Sequence, residues 1–341
     1  MQARAFITGL AGTAITSEER AFLKEAQPWG LILFKRNIVS ASQVSALIIN
    51  FIETVGRADA PLLIDQEGGR VQRMGPPHWP IYPPGAAYGR LYDREAAKGV
   101  AAAWLGARLI ADDLAKVGIT VDCLPVADVP AKGADAVIGD RAYGDTPEKV
   151  SALAAAAAAG LAGGGVLPVL KHIPGHGRAT ADSHAALPVV TATRAELEAS
   201  DFAAFRPLAG LPLAMTAHVV FTAIDPVSPA TTSAKMIQNV IRDAIGFQGL
   251  LMSDDISMGA LSGSLRDRTR AAIAAGCDVA LHCNGKLDEM REVAAETPLL
   301  AGKAARRAET ALASRHAPEE IDVAAARAQF AALMAEGAVT S

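Results

Sequence analysis

The sequence predicts a TIM-type (β/α)8 barrel, and three observations support this fold class. Eight short apolar segments have the character of buried strands, and most are followed by a helix signal. No linker-like or low-complexity stretch divides the 341 residues. Polar residues collect after the carboxyl ends of the strand candidates, where enzymes of this fold place their active sites. We therefore predict a single barrel domain over residues 1–341, with a charged helical C-terminal tail from about residue 287.

The strand candidates alternate with helix candidates along the chain. Thr16 and Glu19 form a capping box before the first helix. Thr146, followed by Pro147, marks the start of a later alanine-rich helix. The predicted strands cover residues 5–9, 30–34, 61–65, 119–124, 166–170, 213–217, 249–253 and 277–281.

The remaining connections are predicted from the same signals. Residues 66–89 are rich in glycine and proline and are expected to form a long loop, which is functional more often than a simple connector. One continuous helix is predicted over residues 93–117. Further helices are predicted over residues 196–208, 233–245 and 266–275.

An open doubly wound sheet is the alternative architecture for alternating strands and helices. That fold would require a Gly-x-Gly-x-x-Gly turn after the first strand. The segment from Gly9 to Gly12 does not supply this turn. The barrel is therefore the favoured prediction.

Composition excludes several classes of partner. The net charge of −4 comes from mixed signs, so no basic face indicates nucleic acid or an anionic membrane. The first residues lack a signal-peptide pattern, and no apolar run approaches the ~18 residues that cross a bilayer. Cys123, Cys277 and Cys283 are odd in number and show no Cys-x-x-Cys spacing, which favours free thiols. We expect a cytoplasmic, monomeric protein that acts on a small molecule without a cofactor.

A dense group of ionisable residues follows the fifth strand candidate. Residues 171–184 read KHIPGHGRATADSH and contain three histidines, a lysine and an aspartate. Gly175 and Gly177 can fold this Gly/Pro-rich segment back over the strand end. Asp65, Arg73 and Arg141 follow other strand candidates, and Asp254 follows the seventh. In a barrel these positions meet at one face, so we predict one active-site pocket there.

Two chemistries fit the histidine-rich segment. A metal ion could be bound by His172, His176, Asp182 and His184, although they show no recognised ligand spacing and the first strand lacks paired histidines. In the second, Asp182 orients His184 as a general acid/base, and the carboxylate favours the imidazolium form. The spacing favours acid–base chemistry over a metal.

Four motifs resemble a known enzyme family. They are KHIPGHG at residues 171–177 followed by DSH at 182–184, DQEGGRVQR at 65–73, GDR at 139–141 and SDDISM at 253–258. In their order along the chain, these motifs resemble those of glycoside hydrolase family 3, in its single-domain bacterial β-N-acetylglucosaminidase branch. Ile173 stands where phenylalanine is usual, and Ala142-Tyr143 stands where Ser-Phe is usual. Neither departure changes an ionisable group.

The resemblance implies a role for each candidate site residue. Asp254 would be the nucleophile of a retaining mechanism, although Asp255 is an obvious rival. His184 would be the general acid/base and Asp182 its partner. The sugar and its N-acetyl group would be held by Asp65, Arg73, Arg141, Lys171 and His172.

The implied activity is removal of terminal β-linked N-acetylglucosamine from peptidoglycan fragments during cell-wall recycling. Alternatives are a glycoside phosphorylase, which phosphate-dependent turnover would reveal, and a metal-dependent barrel hydrolase, which chelation would inactivate. A sugar-binding protein without catalysis would need neither Asp254 nor the pair of Asp182 and His184. His218 and His282 are expected to satisfy local backbone groups, and Met252 and Met258 to pack in the core.

Overall fold

The computed structural model describes residues 3–179, 181–183 and 186–338, and its centre is a closed barrel of eight parallel strands. Each strand pairs with its neighbours in chain order, and the first pairs with the last. The barrel prediction is confirmed, and the open-sheet alternative is wrong. The strands are β1 (Arg4–Thr8), β2 (Pro28–Leu33), β3 (Leu62–Ile64), β4 (Val121–Asp122), β5 (Leu167–Ile173), β6 (Leu213–Thr216), β7 (Leu250–Asp255) and β8 (Val279–His282).

Helices surround the barrel, and the predicted caps are present. Thr16 accepts the backbone N–H of Glu19, whose carboxylate accepts the N–H of Thr16. Thr146 accepts the N–H of Lys149. Residues Met236–Ala244 are wound as a π-helix. The α-helices are α1 (Ser17–Ala26), α2 (Ala41–Val55), α3 (Gly85–Arg94), α4 (Ala96–Ala115), α5 (Pro147–Gly163), α6 (Arg194–Ala199), α7 (Asp201–Phe205), α8 (Leu265–Ala275), α9 (Leu287–Glu296), α10 (Gly302–Ala313) and α11 (Val323–Ala338).

The predicted long loop over residues 66–89 is partly wrong. Gln66–Gly68 and Val71–Gln72 pair as a small antiparallel hairpin. The loop ends early because α3 begins at Gly85, where a side-chain Cβ would lie 2.2 Å from the carbonyl oxygen of Arg141. The backbone of a segment remote in sequence therefore requires glycine at the first residue of this helix.

Two predicted helices are interrupted. The helix predicted over residues 93–117 is interrupted at Glu95, which has an extended backbone (φ −152°, ψ 101°). The residues before Glu95 are the end of α3, and those after it form α4. The helix predicted over residues 196–208 is divided at Ser200 into α6 and α7. Asp201, the first residue of α7, accepts a hydrogen bond from Arg178 Nε at 2.6 Å. This ion pair links the second break to the histidine-rich segment.

The strands bury apolar side chains on both of their faces. Ile7, Val169 and Met252 belong to a cluster inside the barrel, while Phe6, Leu170 and Leu251 pack against the helices. Met252 and Met258 are buried, as predicted. Within residues 3–179, 181–183 and 186–338, no helix has both the length and the apolar character required to cross a bilayer.

The contact between α4 and α5 depends on the absence of a side chain at Gly160. A Cβ there would lie 2.2 Å from the carbonyl oxygen of Trp104 and 2.9 Å from the backbone nitrogen of Arg108. Both groups belong to α4, so an added methyl group cannot be accommodated without separating the helices.

We predict opposite effects for two glycine-to-alanine changes in helices. Gly160→Ala should lower the free energy of unfolding by about 1–3 kcal/mol, because overpacking outweighs the gain in helix propensity. Gly337→Ala in α11 is the matched control, since its nearest neighbour would lie 3.6 Å away. That variant should gain up to about 1 kcal/mol. Urea denaturation measures the free energy of unfolding of both variants. Equal changes in the two variants would contradict the packing explanation.

Candidate active site

A cavity of about 260 Å³ opens at the carboxyl ends of the barrel strands. It brings together residues that are distant in sequence, as the barrel prediction requires. His184 lies outside the described residues. The other seven predicted site residues all line the cavity: Asp65, Arg73, Arg141, Lys171, His172, Asp182 and Asp254.

Lys171 is the centre of a buried charge network. It lies near the end of β5 and is only 2% exposed. Its Nζ donates to Asp65 Oδ1 at 3.1 Å and lies 2.6 Å from Glu67 Oε1. Arg73 Nη2 donates to Asp65 Oδ2 at 2.9 Å, and Arg141 donates to both oxygens of Glu67 at 2.7 and 2.8 Å. Three cations thus share two carboxylates.

The network keeps its members charged despite burial. Burial alone would raise the pKa of Asp65, but Lys171 and Arg73 lower it well below its usual range. The pKa of Glu67 is likewise lowered to about 2, because Lys171 and Arg141 outweigh the effect of burial. Burial alone would lower the pKa of Lys171, and the two carboxylates raise it instead.

The network retains hydrogen-bonding capacity toward the cavity. Each carboxylate oxygen of Asp65 accepts one hydrogen bond within the network, and a carboxylate oxygen has room for a second. Lys171 has three N–H donors and directs two of them at Asp65 and Glu67. The cavity wall therefore offers both acceptors and donors to the hydroxyl groups of a ligand.

The hairpin after β3 places Glu67 and Arg73 in this network. The side-chain oxygen of Gln66 accepts the backbone N–H groups of Arg73 and Met74 at 2.9 and 3.0 Å. Gly68 has φ +95°, and a Cβ there would lie 2.3 Å from the carbonyl oxygen of Pro83. Only glycine fits this turn, so the geometry of the hairpin requires a glycine at position 68.

Two adjacent carboxylates at the end of β7 have different environments. Asp255 accepts the backbone N–H groups of Ser257 and Cys283 on Oδ1 and the hydroxyl of Ser257 on Oδ2. Asp254 Oδ1 accepts the N–H of Asp255 at 2.8 Å. Among the described residues, Asp254 Oδ2 receives no hydrogen bond, so one oxygen of Asp254 remains open while both oxygens of Asp255 are used.

The pKa of Asp254 lies below its ordinary value. Burial alone would raise the pKa of this carboxyl, but His218, His172, the N–H of Asp255 and Lys171 together lower it. Asp254 is thus ionised at neutral pH and faces the cavity with an oxygen that accepts no hydrogen bond from the described residues. This combination suits a nucleophile.

A chain of hydrogen bonds runs from the backbone N–H of Asp254 to the backbone carbonyl oxygen of Asp255 and supports both residues. The N–H of Asp254 donates to Thr216 Oγ1 at 3.3 Å, and the hydroxyls of Thr216 and Thr231 are 2.7 Å apart. Thr231 Oγ1 is 2.7 Å from His218 Nδ1, and His218 Nε2 is 3.0 Å from the carbonyl oxygen of Asp255. Burial lowers the pKa of His218, and the nearby carboxylates of Asp254 and Asp255 partly offset this effect.

The expectations for two histidines have different outcomes. His218 does satisfy a backbone carbonyl, as predicted, and it also supports the segment that carries Asp254. The prediction for His282 is wrong, because its Nε2 contacts the side-chain Oε2 of Glu289 at 3.0 Å.

Asp128 connects two histidines of the histidine-rich segment. Its Oδ2 lies 2.7 Å from His172 Nδ1, and its Oδ1 accepts the backbone N–H of His176 at 2.6 Å. The two imidazole rings meet edge to face, with centroids 5.7 Å apart. His176 Nε2 lies 3.1 Å from Ser183 Oγ. The segment is therefore tied to the loop after β4 through Asp128, and its two parts are joined by the contact between His176 and Ser183.

Comparisons with known proteins agree with this geometry. The sequence model described as "Glycosyl hydrolase family 3 N terminal domain" matches residues 4–308. A beta-hexosaminidase of Alkalilimnicola ehrlichii is 42% identical over 280 residues, which cover 81% of this chain and 79% of that protein. NagZ from Neisseria gonorrhoeae superposes with a TM-score of 0.86 at 31% identity over 98% of both chains. It has also been solved with N-trifluoroacetyl-D-glucosamine and with a zinc ion.

The chain belongs to glycoside hydrolase family 3. The family prediction from the four motifs is confirmed, and so is the prediction of a glycoside hydrolase related to β-N-acetylhexosaminidases.

Three contributors to this family 3 site were not predicted as site residues. Glu67 lies in the quoted motif two residues after Asp65, so its position was a usable signal. Asp128 is a carboxylate in an otherwise apolar run after β4, and such a buried charge requires a partner. Thr216 ends β6 and gave no signal, because a threonine suits any strand.

The four candidate metal ligands named from the sequence do not form a complete group in the described part of the family 3 fold. Within residues 3–179, 181–183 and 186–338, no three histidine, cysteine or acidic residues are placed to hold a metal ion. His172 Nδ1 contacts Asp128, and His176 Nε2 contacts Ser183. The fourth candidate ligand, His184, lies outside these residues.

We predict that Glu67→Gln destabilises the enzyme in a pH-dependent way. Loss of the carboxylate leaves Arg141 and Lys171 buried with too little negative charge, which should cost about 3–5 kcal/mol at pH 7. The folded-state pKa of Glu67 is depressed from 4.5 to about 2, so its stabilisation is present above about pH 4.5. It is lost as the pH falls toward 2. The difference from the wild type should therefore shrink over that window.

Urea denaturation at several pH values measures this effect. The control is Glu25→Gln, an exposed glutamate on α1, which should change stability by less than about 0.5 kcal/mol. A constant difference between pH 7 and pH 3 for Glu67→Gln would show that folding does not lower the pKa of this carboxyl.

Proposed function

We propose that this family 3 enzyme is a retaining exo-β-N-acetylglucosaminidase with Asp254 as its nucleophile. The observation that carries the proposal is the ionised Asp254 carboxylate, whose Oδ2 is open toward a cavity lined by hydrogen-bonding groups. Asp255 is the weaker choice because its oxygens accept three hydrogen bonds from Ser257 and Cys283.

The proposed reaction has two displacements. Asp254 attacks the anomeric carbon while His184 gives a proton to the leaving oxygen, which yields an aglycone alcohol and a glycosyl ester on Asp254. His184 then takes a proton from water, whose oxygen attacks the anomeric carbon and releases the Asp254 carboxylate. Asp182, which lines the cavity, is the proposed carboxylate partner of His184.

The substrate class rests on the polar wall and on the relatives. Asp65 offers acceptors to sugar hydroxyls, while Arg73, Arg141, Lys171 and His172 offer donors to hydroxyls and to an amide carbonyl. The relatives are beta-hexosaminidases, and the similar Neisseria protein binds N-trifluoroacetyl-D-glucosamine. We propose that the natural substrates are N-acetylglucosaminyl peptidoglycan fragments, cleaved in the cytoplasm during cell-wall recycling. A monomeric enzyme stays a prediction from the sequence.

The catalytic roles are tested by two variants and an activated aryl N-acetylglucosaminide. Asp254→Ala should form no covalent intermediate, because it lacks the attacking atom. His184→Ala should lower the rate of hydrolysis of ordinary substrates by ~10²–10⁴-fold. With an activated leaving group, the first step needs no acid, so the glycosyl-enzyme should accumulate as an added sugar mass. Azide needs no base and should release it as a β-glycosyl azide.

The contradicting outcomes are specific. If His184→Ala shows neither the mass shift nor azide rescue, His184 is not the acid/base. If Asp254→Ala retains activity, or if the azide product is the α-anomer, Asp254 is not the nucleophile of a retaining mechanism.

Selectivity for the N-acetyl group is a further prediction. A site that binds an amide leaves buried donors unpaired when the substrate has only a hydroxyl, at about 1–3 kcal/mol for each unpaired group. Aryl β-glucosides should therefore have kcat/KM values at least about tenfold below those of matched β-N-acetylglucosaminides. Equal values for the two sugars would contradict the substrate class while leaving the fold assignment unaffected.

A further inference from the structure

Ser183 occupies a special position in the chain. It is the covalent neighbour of both Asp182 and His184, the two residues of the proposed acid/base pair. Its side chain is polar, yet the residue is only 3% exposed. A buried hydroxyl between two functional residues needs a hydrogen-bond partner, and the structure gives it a defined one.

Two contacts hold Ser183 on opposite sides. Its Oγ lies 3.1 Å from His176 Nε2. Its carbonyl oxygen accepts the backbone N–H of Ala260 at 3.0 Å. Ala260 follows the Asp254 segment, so Ser183 connects the loop to the neighbourhood of the nucleophile as well as to His176.

His176 is itself fixed in place. Its backbone N–H donates to Asp128 at 2.6 Å, and the residue is 3% exposed. The chain around it is held by backbone hydrogen bonds from Ala131 to Gly177 and from Asp135 to Ala179, both 2.8 Å long. A Cβ at Gly177 would lie 2.0 Å from the carbonyl oxygen of Val129, so this close approach requires glycine.

The protonation state of His176 agrees with a holding role. Burial and the neighbouring His172 lower the pKa of His176 to about 4. The ring is therefore neutral near pH 7. A neutral imidazole can still form one directional hydrogen bond through Nε2.

We propose that His176 and Ser183 are positioning residues that keep the proposed acid/base pair at the position, relative to Asp254, that proton transfer requires. The inference rests on the proposed function of His184. Fixing Ser183 at both its hydroxyl and its carbonyl restricts the backbone of the residues on either side. Loss of either contact then disturbs proton transfer while the nucleophile and the sugar-binding network stay intact.

The test uses two aryl N-acetylglucosaminides that differ in their need for an acid. Ser183→Ala should lower kcat/KM for the phenyl glycoside by about 10- to 100-fold, because misplacement of a catalytic group by ~1 Å has effects of this size. For the 2,4-dinitrophenyl glycoside, whose departure needs no proton, kcat/KM should change by less than about threefold. Azide should restore the turnover of the dinitrophenyl glycoside.

The burst of dinitrophenol separates positioning from folding. A variant that folds with Asp254 in place releases a full burst, whereas a misfolded variant releases a smaller one. Ser233→Ala is the matched control, since Ser233 is a buried serine whose hydroxyl donates to Asp225 instead. It should behave as the wild type with both substrates.

Variants of His176 complete the test. His176→Leu should reproduce the leaving-group dependence of Ser183→Ala, and the double variant should lose no more than either single variant. His176→Gln, which keeps a polar atom near the Nε2 position, should recover most of the rate. A full burst with wild-type kcat/KM for the phenyl glycoside in Ser183→Ala would overturn the inference, as would equal losses with both leaving groups. Failure of azide rescue in His184→Ala would instead overturn the proposed function.

Discussion

The ammonium group of Lys171, buried between Asp65 and Glu67, is the interaction on which the site depends. A charge at this depth would be too costly without partners, and each partner is held in turn by an arginine. The network joins β5 to the hairpin after β3 and to the turn that carries Arg141. Its three cations exceed its two carboxylates by one charge, and Lys171 is close enough to lower the pKa of Asp254. The network therefore supplies charged groups to the cavity wall and contributes to the lowered pKa of Asp254.

Neighbouring carboxylates acquire different roles from their surroundings. Asp254 and Asp255 are adjacent and chemically identical, yet backbone N–H groups and a serine hydroxyl occupy the oxygens of Asp255. The N–H of Asp255 and the hydrogen bonds through Thr216 and His218 hold Asp254 in place, and none of the described residues donates a hydrogen bond to its Oδ2. The surroundings thus give Asp255 a structural role, and they leave Asp254 suited to the nucleophile role proposed for it.

The sequence predicts the barrel well because buried parallel strands are continuous apolar runs. It does not predict the start of α3 or the breaks in two helices. Gly85 lies against the backbone of Arg141, and Asp201 pairs with Arg178, and neither contact is visible in local sequence. The same limit applies to the site. Motifs identify the residues that line the cavity, but the pairing of Glu67 with Arg141 depends on a loop 74 residues away.

Asp128 unites the two halves of the histidine-rich segment. One of its oxygens contacts the ring of His172, which lines the cavity, and the other accepts the backbone N–H of His176. Since His176 contacts Ser183, one buried carboxylate supports both a cavity-wall residue and the loop that carries Asp182. The rigid support for the proposed acid/base loop thus comes from β5 and the loop after β4. The alternation of strands and helices supplies the wall of the site, and a few buried polar contacts fix the loop against it.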